Sequence, residues 1–198
     1  MFEGTDGAGK TTMISMIERF LEEKQGIGSV LVVKQPTDLS RKTKLFQKMM
    51  YCKNHDDIDY RAVQLLTMSD RVQHGFEVIE PALKAGKTVI CDRYIYTSLA
   101  NMLARGYDRE AWFYDAASHL LKPDVVFLVH VQPELAIERI KSRPSECDRH
   151  LDERLLRRVS EKFLEMSKRE KFSVLNTDRE SEAAFSQLKA VLYQRGIV

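Results

Sequence analysis

Apolar residues along this chain come in two textures: short unbroken runs, and longer stretches in which they recur every three or four positions. The runs are Val30-Leu31-Val32-Val33, Thr88-Val89-Ile90-Cys91, Val125-Val126-Phe127-Leu128-Val129 and Phe172-Ser173-Val174-Leu175. They are rich in β-branched or aromatic residues and lack polar alternation, which predicts strands covered on both faces. Helical spacing fills the segments between them, over 12–24, 42–51, 58–84, 96–104, 109–121, 133–142, 152–171 and 181–195. Strand–helix alternation of this kind predicts an α/β fold, a parallel sheet with helices on both faces. A strand ahead of residue 4 brings the count to five. There is no repeat, low-complexity segment or linker, so residues 1–198 read as one domain. Strands usually run about 5–6 residues, yet only Met1, Phe2 and Glu3 precede Gly4. Further residues are therefore expected ahead of Met1 in the full-length chain.

The first strand leads into Gly4-Thr5-Asp6-Gly7-Ala8-Gly9-Lys10-Thr11-Thr12, which fits the phosphate-binding loop pattern G-x-x-x-x-G-K-[ST] without a gap. The glycines permit turns closed to residues with a Cβ, so successive N–H groups converge on one point. The helix that follows aims its positive end at the same point. Lys10 would reach the β- and γ-phosphates of a triphosphate, and the Thr11 hydroxyl would ligate Mg²⁺. Asp6 is not required by the pattern, and a carboxylate there repels phosphate. It reads either as an Asx turn shaping the loop or as a contact to a ligand hydroxyl or metal-bound water.

Composition narrows the picture only a little. Hydrophobic residues make up 43% and charged residues 30%, ordinary for a globular protein, and a net charge of +2 gives no sign of a nucleic-acid partner. No run of about 20 apolar residues suggests a membrane span. Cys52, Cys91 and Cys147 have no CxxC spacing and read as free thiols of a reducing cytoplasm rather than zinc ligands.

Catalytic groups of such sheets gather at the carboxyl ends of the strands. Asp92-Arg93-Tyr94 follows the third run: Asp92 is placed to support Mg²⁺ and Arg93 to clamp a phosphate. Arg71 lies within the long 58–84 helix and, taken alone, reads as a solvated helix charge. The segment from Arg139 to His150 is basic and interrupted by Pro144, which suits a lid over about 141–151 carrying arginines to a transferring phosphoryl group. Arg154, Arg157 and Arg158 read as outward-facing helix charges.

Taken together, these residues resemble the thymidylate kinases. The opening Phe2-Glu3-Gly4-Thr5-Asp6-Gly7-Ala8-Gly9-Lys10-Thr11-Thr12 is followed in order by Ser69-Asp70-Arg71 with His74, Pro81-Ala82-Leu83 with Gly86-Lys87, and Asp92-Arg93-Tyr94 with Ser98. Arg105-Gly106, Lys122-Pro123-Asp124, Arg139, Arg143 and Asp148-Arg149 complete the series. The resemblance implies a phosphate-loop nucleoside monophosphate kinase fold, with ATP and Mg²⁺, a nucleoside 5′-monophosphate as acceptor and a cytoplasmic homodimer. It assigns the acceptor phosphate to Arg71 and Arg93 and the acceptor sugar to Asp6. With Gly7 in the loop, it assigns the catalytic arginines to the lid, Arg143 and Arg149, as in the form common in bacteria.

Departures from the family cluster around the acceptor. Lys34-Gln35-Pro36-Thr37-Asp38 replaces an Arg-Glu-Pro-Gly-Gly type segment. Thr67 stands where the family has an aromatic that stacks on thymine, and Asn101 replaces another aromatic three residues after Ser98. His130 and Asn176 stand where the family tends to have aspartate. Gln35, Thr67 and Asn101 are therefore expected to make a more polar acceptor pocket, for dTMP or a related or modified deoxynucleotide. Two alternatives stay open: a deoxynucleoside kinase, and a non-catalytic nucleotide-binding regulator.

Overall fold

In the computed structural model, residues 1–53, 57–144 and 151–198 are described. Five strands form one sheet: β1 (Phe2–Glu3), β2 (Val30–Lys34), β3 (Thr88–Asp92), β4 (Phe127–His130) and β5 (Ser173–Asn176). Their order is β2-β3-β1-β4-β5 and every pairing is parallel. The two-residue β1 therefore lies at the centre, between β3 and β4, as the predicted α/β architecture requires.

Strand residues alternate between the two faces, and each face has its own apolar core. Phe127 and Val129 of β4 enter one core, with α1 (Lys10–Gln25), α8 (Pro133–Lys141) and α10 (Ser181–Gln194). Leu128 enters the other, with α4 (Tyr60–His74), α6 (Ile95–Ala104) and α9 (Glu153–Arg169). The smaller helices α2 (Asp38–Arg41), α3 (Lys44–Tyr51), α5 (Glu80–Lys84) and α7 (Ala111–Ala117) complete the helical set among the described residues. Several starts are fixed by side-chain caps: Thr43 accepts from the Phe46 N–H, Asp59 from Arg61 and Asp152 from Leu155.

The helix expected over 58–84 is divided. It is α-helical to His74, π-helical over Gly75–Ile79 and α-helical again over Glu80–Lys84. Pro81 lacks an N–H and its ring would meet the carbonyl four residues back, so a wider turn before it relieves both conflicts. The 109–121 segment is helical only over Ala111–Ala117. The short α2 has no extended apolar period to announce it; it is set by Thr37, whose hydroxyl caps the Leu39 N–H.

Candidate active site

The phosphate loop runs from the end of β1 into α1. Gly4 sits at φ 138°, and a Cβ there would lie 2.2 Å from the Val129 carbonyl oxygen. Gly7 sits at φ 79°, and its Cβ would lie 2.5 Å from the carbonyl oxygen of Ala136 in α8. Both obstacles are backbone atoms, so neither position admits a side chain without moving a neighbouring element. An arginine at position 7 is therefore sterically closed to this chain. No side chain caps the start of α1, which leaves the first-turn N–H groups aimed into the loop.

Lys10 is buried, and its Nζ donates to the carbonyls of Gly4 at 3.1 Å and Thr5 at 2.7 Å. Burial, with the nearby Arg93 guanidinium, brings its ammonium down to about 7, against the opposing pull of Asp6, Asp92 and Glu3. Thr11 and Thr12 are exposed in the first turn of α1. The loop is anchored from behind. Thr177, just past β5, donates to the Ala8 carbonyl at 2.7 Å, and Arg139 donates to the carbonyls of Gly7 and Thr177 at 3.3 and 3.0 Å.

Arg93 follows β3 with φ 66°, a left-handed conformation that is uncommon without glycine. That turn directs its guanidinium at the loop: Nη1 donates to the Gly4 carbonyl at 2.9 Å, and Nη2 meets Asp6 Oδ1 at 2.5 Å. Glu3 secures the same corner. Fully buried, it accepts from the N–H groups of Tyr94 and Tyr96 and from the Thr97 hydroxyl, and burial raises its carboxyl above the usual range. Asp92, at the end of β3, has a buried Oδ1 with no hydrogen-bond partner among the described residues, while its Oδ2 lies 3.8 Å from Lys34 Nζ.

Beside the loop opens a cavity of about 360 Å³. Asp6, Arg93 and Thr97 line it at the loop end, and Tyr60, Asn101 and Arg105 line it toward the start of α4 and the end of α6. Residues of α9, including Leu155, Val159 and Phe163, form an apolar wall. Thr67 and Ser98 both reach the cavity. Arg71 reaches it too and corrects the solvated-charge expectation: it is 1% exposed, and its Nε and Nη1 have no partner among the described residues. Its place one helical turn after Thr67 puts both on one face of α4.

One sequence-based expectation is revised here. Gln35 does not line the cavity; it is buried, with its amide 2.9 Å from His74 Nδ1. Phe46 of α3 and Tyr60 of α4 also line the cavity, supplying rings from positions that Thr67 and Asn101 gave no reason to examine. Arg143 is exposed just beyond α8 and does not line the cavity. Arg149, Asp148 and most of the expected lid lie outside the described residues.

Sequence reading missed Arg41. Its Nε donates to the Pro36 carbonyl at 2.6 Å, it lines the cavity, and burial, with the Arg93 guanidinium, lowers its pKa against the opposing pull of Asp92 and Asp6. Nothing local marks it, since α2 carries no motif. Asp70 does leave a signal, standing beside Arg71: its two oxygens accept from the Thr37 N–H and hydroxyl at 2.7 and 2.6 Å and fasten α2 to α4.

A phosphate loop on the central strand, with a cation-lined acceptor cavity at the carboxyl ends of parallel strands, defines a nucleotide kinase of the monophosphate-accepting class. The thymidylate kinase family model matches residues 2–188. The chain is 33% identical over 97% of its length to the probable thymidylate kinase of Thermococcus kodakarensis, covering 95% of that protein. It is 33% identical over 98% of its length to the thymidylate kinase of Geobacillus thermodenitrificans, covering 88% of it. The fold is shared with the crystal structure of thymidylate kinase from Ehrlichia chaffeensis, at a TM-score of 0.70 and 22% identity, over 97% of this chain and 96% of that one. The chain belongs to the thymidylate kinase family. It is a phosphotransferase that uses ATP and a nucleoside 5′-monophosphate.

Proposed function

We propose that this enzyme transfers the ATP γ-phosphoryl to dTMP or a related or modified deoxynucleoside monophosphate, giving the diphosphate. The observation that carries this reading is Arg71, a buried guanidinium with two unpartnered donor atoms at a cavity that Arg93 also lines. Leaving such donors unmet is costly, and the electronegative groups of an acceptor nucleotide meet them. Arg93 and Arg41 hold the acceptor phosphate, Asp6 meets the sugar, and Thr67, Ser98 and Asn101 border the base. Residues 4–12 cradle the ATP phosphates.

The reaction needs no covalent intermediate. Arg93 fixes the acceptor oxygen in line with the γ-phosphoryl, and Lys10 neutralises charge on the equatorial oxygens as the loose transition state forms. Arg143 and Arg149 add to that neutralisation when the lid approaches. The Thr11 hydroxyl and the Asp92 carboxylate are hard oxygen donors, and the orphaned Asp92 Oδ1 fits the bound Mg²⁺ or its water shell. Mg²⁺ held by these oxygens would neutralise charge on the ATP phosphates.

A homodimer is supported by an exposed apolar stripe. Leu65, Val72, Phe76 and Leu83 follow one another at spacings of 7, 4 and 7 residues along α4 to α5, and Phe76 is 68% exposed. Among the described residues no helix is long and apolar enough to cross a membrane.

The test is an acceptor panel: ADP formation measured with deoxynucleoside monophosphates and with the matching nucleosides. Consumption of monophosphates alone is expected. Phosphorylation of nucleosides in their place would make the protein a deoxynucleoside kinase, and nucleotide binding without turnover would make it a regulator.

A further inference from the structure

Helix α6 lies along the acceptor cavity with an arginine at each end. Arg93 stands two residues before Ile95, and Arg105 follows Ala104. At 1.5 Å per residue their backbones are about 18 Å apart along the axis, yet both side chains line the same cavity. Arg105 turns back toward the helix start, and its Nη1 donates to the Asn101 Oδ1 at 2.9 Å. Its guanidinium carbon lies 4.2 Å from the centre of the Tyr60 ring. Asn101 is itself fixed, since its Nδ2 donates to the Thr97 carbonyl at 2.9 Å. Each end of the Asn101 amide makes one of these bonds, which fixes its plane, so Asn101 positions Arg105. The described partners of the guanidinium are this amide oxygen and the ring, and neither is an acid.

Arg93, Thr97, Asn101 and Arg105 succeed one another along α6 and all line the cavity, so a nucleotide held by its phosphate at Arg93 would extend its base toward Arg105. A guanidinium carries five N–H donors and no acceptor. It suits a carbonyl oxygen on a base edge and leaves an exocyclic amino group facing another donor. Thr67, smaller than an aromatic ring, leaves room for the base to approach.

We propose that Arg105 is a specificity-determining residue that selects acceptor bases with a keto edge over those with an amino edge, with Asn101 and Tyr60 as its positioning residues. This rests on the phosphotransfer reading above and assigns its base selection to a residue of this chain. The test is steady-state kinetics with dTMP and dUMP as keto acceptors and dCMP as the amino acceptor, at saturating ATP. The wild-type enzyme should favour the keto pair. Arg105→Met should raise KM for that pair about 10-fold, the usual scale for a lost charged hydrogen bond to substrate, with kcat within about twofold. KM for dCMP should not change, so the keto-to-amino ratio collapses. Arg105→Lys should recover part of it, because the charge remains while the planar fork is lost. Asn101→Ala, which frees the guanidinium without removing it, should move the ratio the same way by a smaller amount and serves if the methionine variant does not fold. A wild-type preference for dCMP, or an unchanged ratio in active Arg105→Met, would overturn the proposal. Wild-type enzyme that turns over no monophosphate would instead bring down the phosphotransfer reading on which it stands.

Discussion

Lys10 pays for its place in the loop with desolvation, which brings its ammonium down to about 7. The unfolded chain holds that proton up to about pH 10.5. Between these values the unfolded state binds more protons, so this group's contribution to stability rises with pH across the window and levels off above it. Triphosphate oxygens beside Nζ favour the charged form again. ATP binding at pH 8 should therefore take up a proton, seen as a buffer-dependent enthalpy in calorimetry, and Lys10→Met should abolish that dependence. Equal buffer dependence in both proteins would contradict the assignment. Turnover of Lys10→Met should fall by about 100-fold or more, the scale of removing a group aimed at developing charge, with the fold retained.

At the scale of elements, the site depends on how β1 and α6 are joined. Glu3 gathers two backbone N–H groups and one hydroxyl at the start of α6, and this holds Arg93 in its left-handed turn. Glu3→Gln replaces one acceptor oxygen with an NH₂ facing those donors. Unfolding in urea should show a loss of about 1–3 kcal/mol, the cost of unmet buried donors, together with a higher KM for the acceptor. A variant as stable as wild type would mean that Glu3 does not organise this corner. The contact between α8 and Gly7 belongs to the same scale. Ala136 blocks a side chain at position 7, consistent with the loop lacking an arginine and with the basic charge lying further along, after α8.

At the scale of the whole molecule, the acceptor cavity lies at the carboxyl ends of the strands, while the stripe from Leu65 to Leu83 runs along the outside of α4 and α5. Arg71 on the inner face of α4 and Val72 on its outer face are adjacent in sequence, so a dimer built on the stripe would brace the helix that lines the site. Phe76→Glu should shift the mass in light scattering from dimer to monomer and raise KM for the acceptor more than KM for ATP. A wild-type protein that is monomeric at micromolar concentration would remove the stripe from consideration as a self-interface.

The sequence by itself determined the phosphate loop, the α/β alternation and the positions of Lys10, Arg93 and Asp92, because each depends on local spacing or on the ends of apolar runs. It did not reveal that Arg71 is buried, that Gln35 turns to His74, or that Arg41, Phe46 and Tyr60 border the cavity. Those residues carry no local signature; they meet the loop only when α2, α3 and α4 fold over the carboxyl ends of β2 and β3. Asn101 illustrates the difference. Its sequence position made it a candidate base contact; only the tertiary structure shows that its amide donates to the Thr97 carbonyl and accepts from Arg105. Hydrogen-bond partners distant in sequence are a property of packing, and packing decided which polar side chains remain available to a substrate.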